Sequence, residues 1–453
     1  MLQYADDIAI FAHGTNLTKA VESVQKTIDS LQVYLRAKGL EISPDKSQCV
    51  IFSRKNKIPN FQRINVGNQI IPLSDSFKFL GVWLDAKMTG KKHLTYLIQK
   101  GKSIVNILSS LSGVWWGSHP QSLLTIYRAV FKGSIEYGCQ VFQFQRNQTL
   151  FRCLQRLQWR AIRIAMGYRI STPINIILAE AKEAPLRNRF KLLLSRFLLK
   201  SFLKSGNPMI NSLRYLEDIS CNRRKRINAI RCIPIFKLYI AFKYYKGRIK
   251  RSVFLLAFLY PYNVTIFTQE YREVVTHVND STPKEFIVSK FQEFLYTFPQ
   301  DTTVLYTDGS KLGTDGPTGV GIYSPTLQLN FSHCLPPGTS IFTAEAWALL
   351  VAVKSICEEQ CVRAVIFTDS KSVLEAIASP RTNNDNYLMY SLKNQLYLAD
   401  SSGIQVDLVW IPSHRGIRGN EEVDDLAKLG ARNGTRMDIK IPYTDTLAEP
   451  KVK

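Results

Sequence analysis

The order of apolar and polar positions divides the chain into three textures. Over roughly the first ninety residues, short apolar runs at Ala9–Ala12 and Cys49–Phe52 read as strands around one amphipathic helix, Leu17 to Ala37, with Gly39 and Pro44 as breakers. From about Leu94 to Lys204 the spacing becomes helical throughout. One helix there repeats Leu150, Leu154, Leu157, Ala161 and Ala165 at three- and four-residue intervals. Arg152, Arg156, Arg160 and Arg163 form its second stripe, and Gly167 is its stop. Beyond Thr303 the texture changes again. Val304–Thr307, Gly319–Tyr323 and Leu327–Ser332 predict three consecutive strands, Phe342–Cys357 a helix, Ala364–Thr368 and Gln405–Ile411 buried strands, and Glu421–Leu429 a closing helix. An α/β domain of about 135 residues follows from that order.

Composition sharpens the picture. With 453 residues, 45% of them hydrophobic and 21% charged, the chain can bury real cores in about three domains, and a mainly disordered protein is excluded. The net charge of +23 is uneven: residues 1–300 carry +27, residues 301–434 carry −5 and the tail carries +1. A basic body thus precedes an acidic module, which points to a polyanionic partner, nucleic acid rather than a membrane. Arg223–Arg226 and the basic residues interleaved with aromatics from Phe236 to Arg251 suit phosphate neutralisation and base stacking, or else an import signal or a basic linker.

Eight cysteines in no paired CxxC pattern predict free thiols, with Cys357 and Cys361 buried on a helix, and hence an intracellular protein, cytoplasmic or nuclear. The most apolar stretch, Ser252–Phe267, is broken by Pro261 and falls short of the ~20 residues of a membrane span. Asp6 and Asp7 interrupt the first apolar run, so no signal peptide is expected.

Four acids stand where the elements of the acidic module end or begin. Asp308 closes the first strand in Thr307-Asp308-Gly309-Ser310, Glu345 sits early in a helix that Ser340 can cap, Asp369 closes the fourth strand, and Asp424 lies in the last helix. Singly, each has a structural explanation: a turn, a cap, the helix macrodipole, or a pair with Lys428. Together they would converge on one crevice and repel one another unless a cation sits between them. Hard oxygen donors without cysteine or paired histidine favour Mg²⁺ or Mn²⁺, and two such ions roughly 4 Å apart support in-line displacement at phosphorus.

TDGS around Asp308, TAEAWAL around Glu345, FTDSKSV around Asp369 and WIPSHRGIRGNEEVDDLAK from Trp410 to Lys428 resemble the ribonuclease H motifs in order and spacing, over about residues 300–433. The resemblance implies a five-stranded mixed sheet with flanking helices. It implies Asp308, Glu345, Asp369 and Asp424 as the metal-binding catalytic set with two Mg²⁺ or Mn²⁺ ions, and an RNA–DNA hybrid as substrate. His414 matches the mobile-loop histidine, with a role in proton transfer or product release, and Gly416 and Gly419 are expected to supply flexibility. Gly309, Ser310, Ser370 and Asn420 match positions near the RNA strand, with the Gly309 backbone open to close approach. Val423 departs from the small alanine common before the last aspartate.

The amino-terminal half resembles a reverse transcriptase. Gln3-Tyr4-Ala5-Asp6-Asp7-Ile8 is similar to the YxDD hairpin, Gly39–Lys46 to the next palm motif, and Phe79-Leu80-Gly81-Val82 to the primer grip. The helical stretch with Tyr127-Arg128 and Tyr137-Gly138-Cys139 is similar to the thumb and connection of Jockey-type non-LTR retrotransposons. The expected organisation is a partial palm at 1–92, a helical thumb and connection at 93–205, a basic linker region at 206–299, the ribonuclease H domain at 300–433 and a tail at 434–453. A polymerase needs a further aspartate from an earlier palm strand, and none precedes Met1. The expectation is therefore a truncated retroelement protein with a vestigial polymerase metal site at Asp6 and Asp7, able at most to hold duplex, whose activity is cleavage of RNA in hybrids. A non-catalytic nucleic-acid-binding relic and a fragment of an intact reverse transcriptase are the alternatives.

Overall fold

A computed structural model describes the chain except residues 54, 56–57, 114, 142–146, 223–232, 252–281, 314–315, 380–385 and 448–453. The Arg223–Arg226 cluster and the Ser252–Phe267 stretch therefore lie outside the described residues. The chain divides into two compact units, Met1–Leu194 and Ser195–Lys453.

The first unit opens on a hairpin of β1 (Leu2–Tyr4) and β2 (Asp7–Ala9), in which Tyr4 faces Asp7 across a turn that holds Ala5 at φ 52°. The predicted strand Ala9–Ala12 is not formed beyond Ala9: the strand runs from Asp7 to Ala9, where pairing with β1 ends. Helix α1 (Leu17–Ala37) has the predicted bounds, and the Asn16 side chain caps it by accepting from Lys19 N. Residues Cys49–Phe52 do not form the predicted strand; Cys49 alone makes a bridge, to Leu73. An apolar run without a long partner strand has no ladder to join. Two short hairpins follow, β3 (Asn65–Val66) with β4 (Gln69–Ile70) and β5 (Ser76–Phe79) with β6 (Val82–Asp85).

Helices α2 (Lys91–Ser110), α3 (Pro120–Ile126), α4 (Gly133–Glu136), α5 (Gln148–Met166), α6 (Ile174–Glu180) and α7 (Leu186–Phe202) continue the chain. Leu94, Val105, Tyr127, Phe131, Leu154, Ala161 and Ile177 are among the residues that fill one core between them. Helix α5 ends on Gly167 in the left-handed region, as its sequence requires. Two of the retrotransposon-like segments meet here: Tyr137 Oη donates to Leu80 O at 2.7 Å, and Val82 packs against the backbone of Gly138.

The second unit begins, after the end of α7, with α8 (Pro208–Asn222), α9 (Pro234–Phe242), β7 (Ile249–Lys250) and α10 (Lys284–Leu295). Then come β8 (Thr303–Lys311), β9 (Thr318–Ser324), β10 (Leu329–Cys334), α11 (Ile341–Glu358), β11 (Arg363–Thr368), α12 (Lys371–Ala378), α13 (Tyr387–Ser401), β12 (Gln405–Trp410) and α14 (Arg418–Asn433), in the predicted order. The sheet runs β12-β11-β8-β9-β10 and gains β13 (Thr435–Arg436) as a two-residue sixth strand beside β10. The pairs β8–β11 and β11–β12 are parallel, whereas β8–β9 and β9–β10 are antiparallel, so the sheet is mixed. One face is covered by α11 and α13 over Leu305, Val320, Ile322, Ile366 and Leu408, with Leu349 of α11 in the same core. The other receives Ile287, Phe291 and Phe294 of α10, packed with Tyr306, Phe367, Val409 and Val423. After β13 the chain makes β14 (Ile441–Pro442), parallel to β7, and a short turn of helix, α15 (Tyr443–Thr446). No described helix is long and apolar enough to cross a membrane. The described cysteines are free, and Cys357 and Cys361 are half-buried on and just beyond α11 rather than fully buried.

Candidate active site

Register places the first two carboxylates. Thr307 of β8 pairs in parallel with Thr368 of β11, so the next residue of each, Asp308 and Asp369, stands at the same level on neighbouring strands. Close packing brings the helices to them. A side chain on Gly309 would meet Ala344 Cβ and Glu345 N at 2.8 Å, so glycine lets the first turn of α11 lie on β8 and seat Glu345 beside Asp308. Across the sheet, α14 rests on β9 where Gly319 and Gly321 leave no side chain; a Cβ on Gly321 would sit 2.5 Å from Val423 O. That contact turns Asp424 towards the strand ends.

Asp308, Glu345 and Asp369 each offer an oxygen within 4.8 Å of the others. Asp424 stands at the margin of this trio, where its oxygen groups within 4.8 Å of atoms from His414 and Glu421. Its Oδ2 lies 2.6 Å from Lys428 Nζ and 3.5 Å from His414 Nδ1.

The electrostatics are those of crowded, desolvated acids. Burial, followed by the charge of Asp424, raises the Asp308 carboxyl above its ordinary value. Burial and then the charges of Asp308 and Asp369 push Glu345 well up. Asp369 is raised to about 7, again by burial first and Asp308 second. Each shift says that this pocket resists negative charge and rewards a cation. Glu345 Oε2 is moreover buried with no hydrogen-bond partner. An orphaned carboxylate oxygen within reach of two other acids fits a hard divalent ion, and the donor set lacks the thiolates or paired imidazoles that softer metals take.

The remaining sequence-derived residues fall as follows. His414 is exposed, at φ 54°, in the loop between β12 and α14. Gly416 is exposed at φ +83°, and its N–H donates to Glu421 Oε1 at 3.1 Å. Gly419 is not a hinge: it is buried in the first turn of α14, where a Cβ would meet the Tyr306 ring at 2.2 Å. Its role in the fold is close packing, which corrects the expectation of flexibility. Gly309 is likewise closed off by α11, so its backbone approaches the helix and not open space. Ser310 and Ser370 are half-buried at the ends of β8 and β11. Asn420 is buried, its Oδ1 without a partner. Asp6 and Asp7 are exposed on the β1–β2 hairpin, and among the described residues no third acid or histidine joins them in a metal-sized group.

Sequence reasoning missed three residues. Glu421, one turn before Asp424, was legible from its i−3 spacing. Trp410, whose Nε1 donates to Asp369 O at 2.9 Å, carried only a strand-end position as a signal. Asp445, which bonds to Ser340 and Thr343 at the start of α11, gave none.

Known proteins are similar to parts of this chain. The family described as RNase H matches residues 300–432. A ribonuclease H of Vibrio cholerae is 30% identical over 153 residues, which covers 30% of this chain and 92% of that protein. The RNA-directed DNA polymerase from mobile element jockey of Drosophila melanogaster is 25% identical over 173 residues, 36% of this chain. The chain spans only 18% of that polymerase's length. RNase H1 from Halobacterium salinarum, a solved structure, is 18% identical with a TM-score of 0.24, covering 28% of this chain and 96% of that one. The match to nearly the whole of a bacterial enzyme makes this chain a member of the ribonuclease H family, and the chain is also similar to RNA-directed DNA polymerases of mobile elements.

Proposed function

We propose that the second unit hydrolyses the RNA strand of RNA–DNA hybrids with two divalent ions, Mg²⁺ or Mn²⁺, held by Asp308, Glu345, Asp369 and Asp424. The observation that carries this reading is the trio of carboxylates, two buried and the third half-buried, whose oxygens lie within 4.8 Å of one another. Bound divalent ions supply an activated water and stabilise the leaving oxygen in such chemistry. The chain's own residues do the rest. Asp308 and Asp369 are fixed by strand register, Glu345 by the packing of α11 on Gly309, and Trp410 holds the Asp369 carbonyl. His414, exposed and 3.5 Å from Asp424, is placed to move a proton at the edge of the trio. The half-buried Ser310 and Ser370, close in the chain to Asp308 and Asp369, are the polar side chains that would meet the 2′-hydroxyls of RNA, with the buried Gly309 and Asn420 supporting that surface. The acidic charge of residues 301–434 leaves capture of a polyanion to the basic residues 1–300.

Mg²⁺-dependent cleavage of a labelled hybrid is the test. The wild-type chain should cut the RNA strand only, and Asp308→Asn should lose at least about a hundredfold in rate. Equal degradation by both proteins would end the assignment of Asp308.

The first unit is proposed to be reverse transcriptase-like, with Asp6 and Asp7 falling short of a polymerase metal site among the described residues, holding nucleic acid without polymerising it. The exposure of both aspartates and the lack of a third acid beside them among the described residues support this. Nucleotide incorporation by this chain in a primer-extension assay would overturn it.

A further inference from the structure

Asp445 lies beyond the residues that the family match covers, yet it touches the start of the helix that carries Glu345. Ser340 caps α11, its Oγ accepting from Thr343 N at 3.2 Å. In a capping box the residue at the third helical position would reach back to the N–H of the cap residue. Here that position is Thr343, whose hydroxyl cannot serve as a carboxylate, and the missing half comes from 105 residues away. Asp445 Oδ2 accepts from Ser340 N at 2.9 Å, and its Oδ1 accepts from Ser340 Oγ at 2.9 Å and from Thr343 Oγ1 at 3.0 Å. Asn386, at the start of α13, donates to the same Thr343 oxygen at 3.1 Å, so both helices that cover this face of the sheet are tied into the network.

The segment that presents Asp445 is itself held. Ile441 N donates to Arg248 O at 2.7 Å and Lys440 Nζ to Gly247 O at 2.8 Å, while Tyr387 Oη donates to Lys440 O at 2.7 Å. Ile441 and Thr446 are fully buried. These contacts join residues 247–250, 440–446 and the start of α11 in one clasp. A carboxylate at a helix N-terminus also complements the macrodipole, so the clasp stabilises the first turn and with it the backbone two residues ahead of Glu345.

We propose that Asp445 is a positioning residue for Glu345, and that residues 247–250 and 440–446 belong to the catalytic unit as its clasp. This rests on the ribonuclease reading above. It places the functional boundary of the unit outside residues 300–432. Loss of the Asp445 carboxylate leaves Ser340 N without its acceptor, removes the shared acceptor of the Ser340 and Thr343 hydroxyls in a half-buried site, and frees the first turn of α11 to fray. Glu345 then meets its neighbours from a broadened range of positions. Hybrid binding, which other surfaces provide, is untouched.

The experiment compares full-length wild type, Asp445→Ala, Asp445→Asn and Asp308→Asn. Asp445→Ala should lower kcat about tenfold with KM for the hybrid within about twofold, since misplacement of a reacting group acts on the chemical step. It should weaken Mg²⁺ binding measured by calorimetry by about threefold to tenfold, and speed amide exchange at residues 341–346 while leaving β8 and β11 protected. Asp445→Asn keeps one of the two acceptor oxygens and loses the charge, so it should recover only part of the loss. If wild type cleaves and Asp445→Ala matches it in kcat and Mg²⁺ binding, the positioning role is wrong. It is equally wrong if exchange quickens throughout the second unit, which would mean a general loss of stability. Wild type that fails to cleave like Asp308→Asn counts against the ribonuclease reading, while Mg²⁺ binding and exchange still decide the role of Asp445.

Discussion

Lys428 Nζ lies 2.6 Å from Asp424 Oδ2, one turn along α14, so the fourth carboxylate of the site already has a cation beside it. The lysine side chain is 42% exposed, which makes the pair worth little as a stabilising contact, at most about 1 kcal/mol. Its position nevertheless matters, because an ammonium competes for the same oxygen that a divalent ion would take. Lys428→Gln should change the unfolding free energy by less than about 1 kcal/mol and lower the Mg²⁺ concentration for half-maximal cleavage by roughly two- to fivefold. An unchanged metal requirement in a Mg²⁺ titration would show that the ammonium does not compete.

The crowded carboxylates make stability depend on pH in a direction opposite to that of salt-bridged acids. Asp308, Glu345 and Asp369 all have folded-state values raised above their ordinary ones, the last to about 7. Between the unfolded values near 4 and the raised folded values, the folded chain binds more protons, so the stabilisation present at low pH is lost as pH rises. In chelator, the melting temperature of the second unit should therefore fall from pH 5 to pH 8. Added Mg²⁺ should raise it more at pH 8 than at pH 5, because protons and the ion compete for the same oxygens. Thermal scans at the two pH values, with and without the ion, check both signs.

Gly416 and Gly419, close neighbours in the chain, should respond differently to alanine. Gly419 has no room, with the Tyr306 ring 2.2 Å from where a Cβ would stand, so Gly419→Ala should cost about 1–3 kcal/mol by overpacking and cut the cleavage rate roughly tenfold by shifting α14. Gly416 has space, its nearest side-chain atom being Val288 Cγ2 at 3.4 Å, but sits at φ +83°. Gly416→Ala should cost about 1 kcal/mol from backbone strain alone. Denaturant melts of the two variants separate crowding from strain.

The arginine stripe of α5 splits in the same way. Arg152, Arg156 and Arg160 are exposed at four-residue intervals on one face, whereas Arg163 is half-buried and donates to Thr172 O at 2.9 Å. Replacing any one of the first three by glutamine should weaken binding of a labelled hybrid and lower the slope of log affinity against log salt by up to about 0.9. Arg163→Gln should instead cost about 1 kcal/mol of stability and leave that slope alone. Filter binding across a salt series reads the difference.

Much of this molecule was written in local order. Helix Leu17–Ala37, the arginine-striped helix with its glycine stop, and the strand and helix order after Thr303 all follow from apolar spacing and capping residues, which act over a few neighbours. The four acids were legible because two stand at the ends of apolar strand runs and two on the helices that follow in a recognisable order. Their unequal roles were not. Three share one tight group while Asp424 is drawn to Lys428 and His414, and that division depends on how α14 lies on two glycines of β9. The strands expected at Ala9–Ala12 and Cys49–Phe52 failed for a related reason: a strand needs a partner, and pairing is a property of the folded chain. The sequence alone determined which residues were available and in what order. Only the tertiary structure decided that Gly419 fills no space because a tyrosine ring does, and that a carboxylate from the tail completes the cap above Glu345, since contacts between distant positions leave no periodic trace along the chain.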